Sequence, residues 1–168
     1  MKAQQLFALS GAAAVTGGLL RIFASFSLTS DPVSLEWLYT SIDALLLFGL
    51  IGIYLSRAER LGFLGLASFA VAVAALSFIG GPDADPFGFS TYEQGAAALA
   101  IAMVGLSIAW LQRGERPIWA PACWFGSIIA VGAFAFVPPL AAYGIVVAGV
   151  LFGLGFALAG LELLRPRI

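Results

Sequence analysis

Apolar residues run through this chain in six long stretches, each closed by a short polar or proline-bearing segment. The first, Leu6 to about Ser27, stops before "LTSDP"; the second, Trp37 to Ser56, stops at "RAER"; the third, Leu61 to Gly80, stops at "GGPDADP". The fourth, Gly95 to Leu111, ends at "QRGERP", the fifth, Ile118 to Val137, at the Pro138-Pro139 pair, and the sixth, Leu140 to Leu164, at "RPRI". A hydrocarbon core takes about 20 apolar residues per helix, and these runs have that length. The pattern predicts an all-α polytopic transmembrane bundle of about six spans, at 6–27, 37–56, 61–80, 95–111, 118–137 and 140–164, forming one integral membrane domain over 1–168.

Composition agrees with the pattern. Hydrophobic residues make up 61% of the 168 and charged residues 10%, with a mean hydropathy of +1.02. A soluble domain carries about 25% charge, so too few polar groups are present to clothe a water-soluble globule of this size. Lys2 and "LFALSGAAA" resemble the opening of a secretory signal peptide. Apolar sequence continues well past the alanines, so an uncleaved first span is expected.

Charge is segregated along the chain. Lys2, Arg57, Arg60, Arg113, Arg116, Arg165 and Arg167 fall at one set of alternate span ends, and Asp31, Glu36, Asp83, Asp85 and Glu93 at the other. Basic loops stay on the cytoplasmic side, so both termini are expected there, in what reads as a bacterial inner membrane. Trp37, Tyr39, Trp110, Trp119, Trp124, Phe87, Phe89 and Tyr92 lie near span ends, where interfacial aromatic belts are expected.

Small residues point to helix contacts, because helices in lipid associate by close backbone approach. The last span holds Gly149 and Gly153 in a GxxxG relation that Ala157 extends by a turn, a packing face expected within the chain rather than between copies. The Pro138-Pro139 link makes spans five and six neighbours. "GAAAVTGG" in span one and "GAAALAIA" in span four share only low-complexity residues, which does not establish the inverted repeat of many transporters.

The chemical inventory is informative in what it lacks. With no histidine, bis-His haem, His-bearing zinc sites and histidine acid-base catalysis are excluded. Lys2 is the only lysine and lies at the terminus, so no retinal-type Schiff base forms inside the membrane. Cys123 is a single thiol in an apolar run, which excludes a disulfide framework. No cofactor, no metal, no catalytic residue and no nucleic-acid partner is expected. The loop "GGPDADPFGFSTYEQG" holds Asp83, Asp85 and Glu93 but lacks the alternating oxygen ligands of an EF-hand, and reads as a solvated acidic loop. Glu162 is expected to pair with Arg165 at i+3.

Two charges fall inside spans. At about 1.5 Å of rise per residue, Arg21 lies roughly 7 Å outside the midpoint of span one and Asp43 roughly 5 Å outside that of span two. Either charge alone at mid-bilayer is unfavourable by about 2.5–3.5 kcal/mol, so a partner is expected. Arg21 and Asp43 are therefore the candidate polar pair. They read as a structural bridge across the first hairpin aided by Ser25, Tyr39 and Thr40, as an arginine snorkelling outward beside a wet crevice, or as a site for an ion, proton or polar head group.

Two functional readings follow. In the first, the protein is a non-catalytic membrane component acting through helix packing, as an accessory or scaffold subunit or as a binder of lipid or apolar pigment. Its partners are then the bilayer, other membrane subunits or a second copy. In the second, it is a small transporter or channel-like protein working through Arg21 and Asp43. The lack of a second buried charge cluster, of mid-span proline and of a repeat favours the first.

The charge segregation generates the first prediction. In a Cys123→Ala background, Asp85→Cys and Arg113→Cys should label from opposite sides of the membrane with an impermeant maleimide. Labelling of both from one side would contradict the six-span order.

Overall fold

The computed structural model describes residues 3–26, 31–79 and 90–165. Among the described residues there is no strand, and six α-helices follow in order: α1 (Ala3–Ala24), α2 (Pro32–Leu55), α3 (Ala58–Ile79), α4 (Thr91–Gln112), α5 (Trp119–Ala135) and α6 (Ala141–Leu164), with a 3-10 turn at Pro138–Leu140 before α6. Five of the six are long and apolar enough to cross a membrane, as expected of an integral membrane protein. The exception is α5, whose 17 residues rise only about 25 Å at 1.5 Å each. The acidic loop with Asp83, Asp85, Phe87 and Phe89, together with Lys2 and Arg167, lies outside the described residues.

α2 and α4 begin a full turn or more before the apolar runs suggest, because caps rather than hydrophobicity start them. Asp31 caps α2, accepting from the Ser34 backbone N–H at 2.9 Å and from the Ser34 hydroxyl, with Pro32 in the first turn, where its missing N–H is not needed. The Ser34 hydroxyl, and after it the Ser34 N–H, hold the Asp31 carboxyl below its ordinary 3.8. Ser90 caps α4 by accepting from the Glu93 N–H at 3.2 Å. Near the start of α3, Gly62 takes a left-handed φ of 64°. That turns the chain after the short α2–α3 connection, and a side chain there would be strained.

The helices form an antiparallel ring in which α6 closes back on α1. Gly17 meets Leu45 and Leu46, Ala14 meets Gly49, and Ser10 meets Gly52, which sets the register of α1 against α2. Along the closing seam Gly11 faces Gly160, Gly18 faces Gly153 and Ala157, and Ser25 faces Gly149. Gly149, Gly153 and Ala157 therefore pack within the chain, on α1. At Gly18 and Gly153 each backbone carbonyl lies where the other's Cβ would stand, so neither position has room for a side chain. Gly95 and Gly105 seat α4 on α3, against Ile79 and Ser68, and Gly144 and Gly155 seat α6 on α5, against Phe134 and Trp124. The α3–α4 hairpin meets its other neighbours along thinner seams, marked by Tyr54 of α2 stacked on Phe69 of α3 at 4.1 Å.

The core fills one half of the ring. Leu46, Leu50, Ile53, Met103, Leu106, Trp110, Trp124 and Phe156 are fully buried there. Trp124 meets Trp110 edge-on at 5.9 Å and Phe156 at 5.3 Å. Trp110 and Trp124 are thus core anchors rather than members of an interfacial belt. Trp110 spends its polar edge inside, donating from Nε1 to the Glu115 carbonyl at 2.9 Å, which removes the reason for an indole to seek the headgroup layer. Trp37 and Trp119 are exposed, as a belt requires. The outer face carries Phe63, Ile101 and Phe136 among many exposed apolar side chains, the surface a lipid solvent accepts.

Antiparallel packing gathers Arg57, Arg60, Arg113, Arg116 and Arg165 at one end of the bundle and Asp31, Glu36 and Glu93 at the other. We call these the basic and the acidic end.

The α1–α6 seam yields the second prediction. Gly149→Leu with Gly153→Leu should lower stability by roughly 1–3 kcal/mol per site, since overpacking meets the Gly18 backbone at Gly153 and the Ser25 side chain at Gly149. Ile101→Leu on the lipid-facing side should leave it unchanged. Thermal unfolding in mild detergent measures both, and a native midpoint in the double variant would refute the seam.

Candidate functional site

The acidic half of the ring is hollow where the basic half is filled. Beyond Leu46 and Met103, the six helices diverge around a cavity of about 890 Å³, within the range of sites that hold a small organic ligand. Its two sides differ in chemistry. From α1 and α2 come Arg21, Glu36, Tyr39, Thr40 and Asp43; from α3 to α6 come chiefly Leu76, Ile79, Leu99, Met103, Ile128, Val131, Ile145 and Phe152. Glu36, Tyr39 and Thr40 are exposed at the mouth, Arg21 and Asp43 are half-buried, and Leu46 and Met103 are buried at the floor.

Arg21 and Asp43 reach this cavity from different parts of their helices. Arg21 lies in the last turn of α1, where a cation also suits the helix C-terminus, while Asp43 stands near the middle of α2. The register described above brings them to one level, because residues 17 and 14 of α1 oppose 45–46 and 49 of α2. They do not touch. Among the described residues the ion pairs are Arg60–Glu115 at 3.0 Å and Arg165–Glu162 at 3.1 Å, so the direct bridge expected across the first hairpin is not formed. The two charges instead interact electrostatically across shared space.

Arg21 has local support that accounts for the separation. The Arg21 guanidinium lies 5.9 Å from the centroid of the Tyr39 ring, a cation–π contact that draws it toward the mouth. The Ser25 hydroxyl donates to the Arg21 main-chain carbonyl at 3.0 Å. On α6, Gly149 leaves the space that Ser25 and Arg21 use; a Cβ there would stand 3.9 Å from Arg21 Nη2. Thr40 lines the cavity beside Asp43. The floor is polar at one point, Ser127, whose hydroxyl donates to the Trp124 carbonyl at 2.6 Å.

One arrangement that span-level reading missed lies at the basic end. Arg57, which in the sequence only helps to orient the bundle, is 4% exposed and stacks over Trp110 with its guanidinium carbon 4.2 Å from the ring centroid. Its guanidinium donates to Ser56 Oγ at 2.7 Å and to the Arg116 carbonyl at 3.2 Å. An arginine directly after an apolar span, with a tryptophan at the end of another, was the available signal.

Among the described residues no group of three His, Cys, Asp or Glu is placed to hold a metal. Cys123 is half-buried in α5 and does not line the cavity. No family model, no curated protein and no solved structure matches the chain, so its function is argued from its own residues.

The separation of Arg21 from Asp43 yields the third prediction. Arg21→Leu, Asp43→Leu and the double variant form a cycle whose coupling should stay below about 1 kcal/mol, the size found for ion pairs that water screens. A coupling of about 3 kcal/mol or more would mean that the two form a buried bridge.

Proposed function

We propose that this protein is a non-catalytic integral membrane binder of an amphiphilic molecule, a lipid or an apolar pigment with a polar head. The observation that carries the reading is the two-sided cavity: one wall supplies a guanidinium, two carboxylates, a phenol and a hydroxyl, and the other is mainly aliphatic and aromatic, with hydroxyls only at Thr91, Tyr92 and Ser127. Arg21 is suited to an anionic or carbonyl oxygen, Asp43 and Glu36 to an amine or hydroxyl, and the apolar wall to the ligand's body. A polar group left in this half-buried place without a partner is unfavourable, and a ligand head, or water held until it arrives, meets that need. The basic end is assigned to the cytoplasm, which puts the mouth on the outer side of the membrane.

Packing supports a binder over a catalyst. Arg21 and Asp43 are held apart, and the apolar wall offers contact area rather than chemistry. A role as subunit of a larger assembly adds only that the ligand is presented to a neighbour.

A transport reading draws on a different observation. The cavity ends at the packed layer of Leu46, Met103, Leu106, Trp124 and Phe156, and the α3–α4 hairpin touches the rest of the ring along thin seams, so its movement would open the floor. Flux of a candidate amphiphile across proteoliposomes separates carrier from binder.

The binder reading yields the fourth prediction. Extraction of protein purified in mild detergent should release a stoichiometric amphiphile, identified by mass spectrometry. Ala148→Trp, which projects a bulky ring into the cavity, should remove most of it while the thermal midpoint stays within a few degrees. An unchanged content of bound amphiphile in that variant would sink the assignment of this cavity.

A further inference from the structure

The basic end carries a second, smaller hollow whose lining is wholly polar: Ser56, Arg57, Arg60, Glu115, Arg116, Glu162 and Arg165 enclose about 460 Å³. We propose that this pocket binds the phosphate-bearing head group of an anionic lipid in the leaflet at the basic end.

Three separate parts of the chain build it. The α2–α3 turn and the first turn of α3 supply Ser56, Arg57 and Arg60, the α4–α5 connection supplies Glu115 and Arg116, and the end of α6 supplies Glu162 and Arg165. Four guanidinium groups meet two carboxylates, which leaves an excess of two positive charges in one concavity. The carboxylates are already engaged, Glu115 with Arg60 and Glu162 with Arg165. They fix the arginines in place rather than neutralise the pocket. Arg57 is held by Trp110, Ser56 and the Arg116 carbonyl, so its orientation needs no further ordering when an anion arrives. Arg116 is exposed and joins no ion pair among the described residues. Guanidinium forks bind phosphate oxygens in pairs; a phosphodiester matches the sign of the excess, and a phosphomonoester or a head group with two phosphodiesters matches its size as well.

The surroundings favour a lipid over a free ion. Leu55, Leu111, Ile118, Trp119 and Leu164 are exposed at this end of the bundle, next to the helix ends that carry the pocket residues. A head group seated among the arginines would leave its acyl chains along these apolar side chains. An inorganic anion would gain nothing from them. Basic pockets between helix ends are where anionic head groups dock in membrane proteins generally.

The pocket is independent of the larger cavity, and so is its test. The full-length protein is placed in nanodiscs of phosphatidylcholine alone, of phosphatidylcholine with phosphatidylglycerol or cardiolipin, and of phosphatidylcholine with inorganic phosphate in the buffer. Thermal midpoint and lipid retention by native mass spectrometry are read in each. The anionic lipids should raise the midpoint and remain bound, and inorganic phosphate should not raise it. Arg116→Gln and Arg165→Gln should each weaken retention roughly fivefold, the effect of one basic residue at an anionic surface, and together should abolish the shift. Their midpoint in phosphatidylcholine alone should match that of the parent, which shows that folding is intact. Arg113→Gln, an exposed arginine at the same end but outside the pocket, should retain the full shift. A shift that survives the double variant, or that Arg113→Gln removes equally, would overturn the site in favour of diffuse surface attraction. A shift produced by inorganic phosphate alone would overturn the lipid and leave a free-anion site.

Discussion

The ring depends on one contact, the approach of α1 to α6 at Gly18 and Gly153, where two backbones meet with no side chain between them. In a lipid solvent, burying apolar surface gives helices no reason to associate, since lipid chains receive leucine as readily as another helix does. What remains is dispersion between closely fitted surfaces and the weak polar contacts that proximity allows. The first and last helices supply that fit through Gly11, Gly18, Gly149, Gly153 and Gly160, and by joining they turn a row of hairpins into a closed ring. Only a closed ring has an inside.

How that inside is divided follows from where bulk is spent. Toward the basic end Trp110, Trp124 and Phe156 interlock and fill the axis. Toward the acidic end the helices instead leave the space that Arg21 and Asp43 share. The two arginines that matter most are handled in opposite ways. Arg57 is sealed under protein contacts and stacked on an indole, a fixed part of the scaffold at the basic end. Arg21 is half-buried, leans on the ring of Tyr39 and keeps its charge toward a hollow.

Much of this was legible in the sequence, for reasons that differ by element. Run length places all six helices, because the solvent dictates how many apolar residues a span needs. The starts of α2 and α4 were misplaced, since hydrophobicity does not mark a cap; "DPVS" and "STYE" did carry that signal, with Asp31 and Ser90 each set three residues before the N–H it accepts from. Gly149 and Gly153 stood out by spacing, yet spacing alone does not name the opposing helix. That Arg21 and Asp43 stand at one level followed from counting residues, and the α1–α2 register brings it about. Their separation was not legible. It depends on lateral angles around the ring, on Tyr39 drawing the guanidinium aside, and on the room left by Gly149, none of which a one-dimensional pattern encodes. Trp110 and Trp124 misled for a related reason: position near a span end suggests a belt, whereas the Glu115 carbonyl and Arg57 decide that Trp110 faces inward.

The link between α5 and α6 has its own consequence. From Pro117 to Leu161 the sequence holds no charged residue, α5 is the shortest helix, and the elbow between the two exposes Phe136, Val137 and Leu140. A bend in low-dielectric surroundings is tolerated only where few backbone donors are left bare. Here two consecutive prolines bring no N–H at all, and those of Val137 and Leu140 are satisfied by Phe134 and Val137. With no charged side chain at the elbow to hold it in the headgroup layer, the bilayer must come to it. One sector of the perimeter is thin while the rest is not, and the leaflet beside α5 has to dimple to meet it. Hydrophobic mismatch of this lopsided kind strains thick membranes more than thin ones. Bilayer thickness thereby becomes a variable to which this protein responds through geometry alone.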